Sequence, residues 1–365
     1  MQINNNLNEI FWLRAFACVA VVIGHTIQLT NVEFNHIEPA NIYSIFLNYL
    51  LLASLFGTPI FVFISEMLLS KKYPKKLPSK FIRKRIKYIF LPFVFMNIVY
   101  AILHLENFSI QSLVIESLKN ILLGHSILYF VLIVFQFYFL HLAFNKYLNK
   151  LSPLFILPLT FVINVVYLGI FNFMDPPNTS LFFKEIWRYG YWLPFLGWIF
   201  YFSLGFYCGK FYDVFLSFLL RLKYVFIFLP LVTYSLCVVV NKYAIFKYTT
   251  SKRIDMIFYT ISIIFFIILI SKLIPKTPRI IFLLSNYSFC IYLLHMVFIH
   301  LLELALPFSY LNKFTYLLFA SIITISCSII FAYIVNKLKF GKFLVGNINN
   351  FNTSRLVPYG QKKTA

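Results

Sequence analysis

Apolar residues arrive in this chain in long unbroken runs, separated by short polar or basic segments, rather than at alternate positions. A helix of about 20 apolar residues crosses the roughly 30 Å hydrocarbon core of a bilayer. The runs predict such spans at Ile10 to Leu29, Ile42 to Leu69, Tyr88 to Leu103, Ile121 to Phe144 and Pro153 to Phe173 in the first half of the chain. In the second half they predict spans at Trp192 to Cys208, Leu222 to Val240, Ile254 to Ser271, Ile280 to Ala305 and Phe314 to Asn336. The two-residue alternation of a transmembrane barrel is absent, so the expected fold is all-α, a polytopic integral membrane protein with about ten transmembrane helices. No intervening segment exceeds about twenty residues, which leaves no room for an appended soluble domain. The division expected is a membrane-embedded domain over residues 1–345 and a cytoplasmic tail over 346–365. The first run lacks basic residues before it and a small-residue cleavage site after it, and is expected to stay as a helix.

Composition agrees with this pattern: 61% hydrophobic and 12% charged residues give more apolar surface than a soluble domain of 365 residues can bury. The net charge of +21 invites a nucleic-acid reading, but its distribution removes it. Of the 32 Lys and Arg residues, 23 fall on one set of alternating loops and the C-terminal tail, 8 on the other set, and Arg14 inside the first span. Such an imbalance is the positive-inside signature. It places both termini in the cytoplasm and the loops near Glu33, Glu106, Asp175, Lys247 and Pro307 outside a cell membrane. The segment from Asn241 to Arg253 carries four positive charges and argues locally against that orientation. The bias towards Asn, Ile, Lys and Phe is that of AT-rich coding and hints at a bacterial source. Cys18, Cys208, Cys237, Cys290 and Cys327 stand singly in apolar runs, without a CxxC pair, and read as small buried hydrophobes rather than metal ligands.

Ionisable residues inside a span are expensive and therefore candidates for function. Arg14 and His25 are eleven residues apart, which puts them on one helix face about 16 Å apart along the axis. Two readings are open: an interface anchor and a packing histidine, or an Arg that holds an anionic group arriving from the cytoplasm and a His that takes a proton from an attacking hydroxyl. Glu66 lies at about the depth of Arg14, either as its buried ion-pair partner or in a catalytic role. The stretch Lys71 to Lys87 holds nine positive charges in seventeen residues. Most of them serve orientation, while Arg83 and Arg85 stand where a phosphate-bearing donor could dock. In the ninth span Tyr292 and His295 share a face, with Ser285, Asn286, Tyr287 and Ser288 beneath, which suits a lined cavity or interhelical hydrogen bonds. Walker, HExxH and Gly-x-Ser-x-Gly motifs are absent from the sequence.

Four of these segments, in this order, resemble the motifs of the acyltransferase-3 family of integral membrane acyltransferases. They are Ile10 to Cys18 leading to Gly24-His25, Phe56 to Ser65, Arg85 to Pro92, and Ser288 to His295. The segments Gly197 to Gly205, Tyr129-Phe130 and Gln136-Phe137 are closest to the intercellular adhesin protein C branch, linked to export of a poly-N-acetylglucosamine and to its acyl modification. The resemblance implies transfer of an acyl group, commonly acetyl from acetyl-coenzyme A, to a hydroxyl of a surface or secreted carbohydrate, with no bound cofactor. It makes His25 the catalytic base and Arg14 and Arg85 donor-binding residues. Two positions depart from the family pattern: Glu66 follows Ser65 where Gly is usual, and His125 stands four residues before Tyr129 rather than in a His-Leu-Trp-Phe sequence. The expectation is an O-acyltransferase using a cytoplasmic acyl-CoA and an extracytoplasmic carbohydrate, with a glycan synthase as a partner. The rivals are an exporter of the glycan without covalent chemistry and an inactive scaffold for a synthase; Tyr191, Trp192 and Trp198 suit sugar stacking in the enzyme and in the exporter alike.

Overall fold

The computed structural model describes residues 8–35, 42–105, 107, 109–177, 180–305 and 312–348. The loop positions Glu106 and Pro307 and tail residues 349–365 lie outside the described residues. Among the described residues every regular element is helical. Ten stretches are long and apolar enough to cross a membrane: Asn8–Asn31, Tyr43–Lys72, Phe81–His104, Ile110–Leu148, Pro153–Phe173, Leu181–Lys210, Lys223–Lys242, Asp255–Leu273, Arg279–Ala305 and Lys313–Asn336. The chain is an all-α polytopic membrane protein, and each expected span falls within or nearly within one of these stretches.

The first span, α1 (Asn8–Asn35), is the central post. It packs against α2 (Ile42–Ser54), α3 (Gly57–Lys72), α13 (Asp255–Leu273), α14 (Arg279–Ala305) and α15 (Lys313–Asn336). At Gly57 the backbone of α3 comes so near that an added Cβ would sit 2.8 Å from the Ala17 carbonyl oxygen. Helix α3 in turn lies closest to α10 (Ile199–Lys210), where Gly205 and Gly209, four residues apart, meet the backbone carbonyls of Phe63 and Met67. Such small-xxx-small contacts suit a bilayer, where helix association rests on close packing.

Four of the ten stretches are interrupted, and residues beside the breaks in the third and fourth line cavities. The third stretch runs as α4 (Phe81–Arg85), a π turn over Ile86–Phe90, and α5 (Leu91–His104). Pro92 has no N–H to give, and the Leu91 N–H bonds the Ile86 carbonyl five residues back. Lys84 with Tyr88 and Arg85 with Ile89, each pair four residues apart, share one face and line one cavity. The fourth stretch begins with α6 (Ile110–Leu123), capped by the Ser109 hydroxyl, which accepts from the Ser112 N–H at 3.0 Å. It ends at Gly124, whose φ of 63° is the left-handed C-cap that favours glycine. A short turn, Ile127–Tyr129, then leads into α7 (Phe130–Leu148) and delivers Tyr129 and Phe130 to the protein interior. The stretch starts before the expected Ile121, because in α6 the apolar run is broken by Gln111, Glu116, Lys119 and Asn120.

Candidate functional site

Helix α1 carries Arg14 into one cavity and His25 into another. The larger cavity, of 430 Å³, is lined by Arg14, Lys84, Arg85, Tyr138, Ser65 and Ser288 among others. Its three cations have no carboxylate partner among the described residues. The Arg85 guanidinium lies over the rings of Phe81 and Tyr138, at 4.8 and 5.2 Å from their centroids. An unpaired cluster of this kind suits an anionic ligand, above all one with phosphates. Arg83 is exposed and does not line the cavity, because it points away from Arg85 on the same short helix. Lys84 takes the place expected for it, and the basic run alone gives no means of telling which of its members turns inward.

The smaller cavity, of 170 Å³, is lined by His25, Gln28, Ser54, Thr58, Thr250 and Lys252 among others. The Nδ1–H of His25 donates to Gln28 Oε1 at 3.1 Å. In that tautomer Nε2 keeps its lone pair and can accept a proton. Behind it, the His295 ring lies 5.3 Å from the His25 ring, centroid to centroid. His295 is fully buried and donates from Nδ1 to the carbonyls of Tyr292 at 2.8 Å and Ile291 at 3.2 Å. Its own face of the helix also carries Tyr292, whose ring stacks on it at 6.1 Å.

Two residues, Phe130 and Tyr292, line both cavities. The Tyr292 hydroxyl donates to the Ile127 carbonyl at 3.1 Å, which fixes the ring between the two spaces. The cavities therefore sit on either side of an aromatic septum, with Arg14 on one side and His25 about 16 Å further along α1.

Glu66 is placed differently from either sequence expectation. It is 1% exposed, lines neither cavity, and pairs with His141 of α7 rather than with Arg14, Oε1 to Nδ1 at 2.5 Å. The carboxylate fits at a family glycine position because Gly205 of α10, opposite, has no side chain to collide with it. His141 carried no motif and was not singled out in the sequence. Tyr191, Trp192 and Trp198, expected as sugar platforms, surround the ammonium of Lys252, which lies 4.9, 5.4 and 5.9 Å from their centroids. Lys252 is the second residue that sequence reasoning passed over, since it looked like one more loop charge.

The chain is 35% identical over 350 residues to a candidate membrane-bound acyltransferase of Bacillus subtilis, YfiQ, covering 94% of this chain and 95% of that one. It is 30% identical over 315 residues to the probable poly-beta-1,6-N-acetyl-D-glucosamine export protein of Staphylococcus aureus, covering 84% and 85%. The protein of the same name from Staphylococcus epidermidis is 28% identical over 318 residues, covering 85% and 84%. No solved structure matches the chain significantly. The family profile described as an acyltransferase domain matches residues 7–333, from the start of α1 to the last span, and the chain belongs to the acyltransferase-3 family.

Proposed function

We propose that the protein is a membrane-bound O-acyltransferase that takes an acyl group, most simply acetyl, from a cytoplasmic acyl-CoA and places it on a hydroxyl of an extracytoplasmic carbohydrate. The observation that carries this reading is the pair of cavities meeting at Phe130 and Tyr292, one cationic and one holding His25 with its Nε2 lone pair available. Arg14, Lys84 and Arg85 bind the phosphates of the donor; the thioester end of the pantetheine arm passes the septum; His25 accepts the proton of the attacking hydroxyl. In this reading the basic segment, both termini and the tail over 346–365 face the cytoplasm of a cell membrane. The acceptor is presented from outside, by a glycan synthase where the glycan is made in the same membrane.

The names of the Staphylococcus relatives favour a second reading, export of a glycan without covalent chemistry. A polysaccharide needs a continuous passage, whereas the His25 cavity is smaller than the roughly 300 to 1,000 Å³ usual for a drug-sized ligand. Purified protein given acyl-labelled coenzyme A thioester and candidate glycans decides between them. Acceptor-dependent release of free thiol with label on the glycan supports acyl transfer; glycan movement across proteoliposomes with no label transferred supports export.

A further inference from the structure

The cavity around His25 contains a second ionisable group to which neither motif nor relative draws attention. Lys252 lies in the segment between α12 (Lys223–Lys242) and α13, yet it is only 5% exposed. Its ammonium is enclosed by Tyr191, Trp192 and Trp198, and also by Tyr129 at 5.3 Å from the centroid. Among the described residues Nζ has neither a carboxylate nor a hydrogen-bond acceptor. The next residue shows the contrast: Arg253 is equally buried but is held by Asp255 at 2.6 Å and Asn241 at 2.7 Å. Aromatic faces can hold an ammonium in place but cannot satisfy its N–H donors, so the arrangement leaves Lys252 wanting an oxygen. Lys252 lines the same 170 Å³ cavity as His25, and Tyr129, one of the rings around its ammonium, lines that cavity too.

We propose that Lys252 is a catalytic residue of the His25 cavity, whose ammonium stabilises the oxyanion formed when the acyl group passes to the acceptor. The proposal rests on the acyl-transfer reading. In the step, the acceptor oxygen bonds to the thioester carbonyl carbon as its proton goes to His25 Nε2, and the carbonyl π pair moves onto oxygen beside Lys252. The pair then returns, the carbon–sulfur bond breaks, and the coenzyme A thiolate recovers the proton from His25. A fixed positive charge in a water-poor site acts most on charge that appears only in the transition state.

Burial pushes the Lys252 ammonium down to about 7 from the usual lysine range. The titratable groups facing it are the Tyr129 and Tyr191 phenols and, across the cavity, His25 and Tyr292, while the Arg253 charge is neutralised by Asp255. Transfer needs His25 neutral and Lys252 charged. Turnover should therefore fall as pH rises through about 7, on the limb that belongs to Lys252.

The test measures acyl transfer to a fixed glycan acceptor by wild type, Lys252→Met, Lys252→Arg and His25→Ala, with coenzyme A binding as the check on folding. Lys252→Met should bind coenzyme A normally, lose about a hundredfold to thousandfold in kcat and lose the alkaline limb. Lys252→Arg keeps a charge that does not titrate, and should retain most of the rate with no fall at high pH. An active Lys252→Met beside an inactive His25→Ala overturns the role of Lys252 and leaves acyl transfer standing. A loss confined to the acceptor KM also overturns it, and assigns Lys252 to a fixed anionic group on the acceptor. Absence of transfer in the wild type overturns the acyl-transfer reading and this inference with it.

Discussion

The rings of Phe130 and Tyr292 meet edge to face, 6.4 Å between centroids, and these two side chains border both the cationic cavity and the His25 cavity. A septum of two rings can separate an aqueous donor site from an outer acceptor site while leaving a single place for a thin arm to pass.

Opening that septum should uncouple the reaction. Phe130→Ala is expected to raise the release of free coenzyme A in the absence of acceptor, because water gains access to the thioester. Tyr292→Phe keeps the ring and removes the bond to Ile127, which contributes about 1 kcal/mol, and should change coupling little. Equal acceptor-independent release by wild type and Phe130→Ala would remove the septum from the mechanism.

Donor binding should separate the members of the basic run. Arg14→Ala and Arg85→Ala each remove a charged contact to phosphate of about 1.5 to 3 kcal/mol, a tenfold to hundredfold loss in coenzyme A affinity. Arg83→Ala, on the exposed side of the same turn, should leave affinity unchanged. Calorimetry on detergent-purified protein compares the three directly. Equal losses in all three would mean a diffuse electrostatic effect rather than a built site.

Glu66 and His141 should matter to stability before they matter to the donor. Leaving one partner of a buried hydrogen bond unsatisfied costs about 1 to 3 kcal/mol, so Glu66→Ala is expected to lower yield and Tm. Glu66→Gln keeps an oxygen for His141 and should be milder. Coenzyme A affinity should survive in both, since Glu66 does not line the cavity that holds Arg14. A selective loss of donor binding by Glu66→Gln would restore the pairing expected from the sequence.

How far the sequence went follows from which forces act locally. The ten spans are set by apolar run length, a property of each segment alone, and were legible. So was the shared face of Arg14 and His25, which helix geometry dictates. The partner of Glu66 was not, because depth along two helices does not fix their rotation, and His141 comes from α7, seventy-five residues further along the chain. The surroundings of the charges between Asn241 and Arg253 were not legible for a related reason. Arg253 is bound by Asp255, Lys247 pairs with Asp175 across the loops, and Lys252 is enclosed by aromatic rings, so two of the four are neutralised and a third is buried in ways that no charge count can see.

Orientation can be checked independently of activity. Accessibility tags at Lys76 and Lys363 should both report the cytoplasm, and one at Lys247 the outside. Lys76 and Lys363 on opposite faces would contradict an even number of spans between them.

The central claim, that His25 is the base for acyl transfer, is tested most directly by one substitution. Gln at position 25 can hydrogen-bond as imidazole does but cannot take a proton at neutral pH. Acyl transfer from coenzyme A to glycan by His25→Gln should fall about a hundredfold to ten-thousandfold, with coenzyme A affinity unchanged because Arg14 lies about 16 Å away along α1 and Lys84 and Arg85 line the other cavity. Near-normal transfer by His25→Gln would contradict the account.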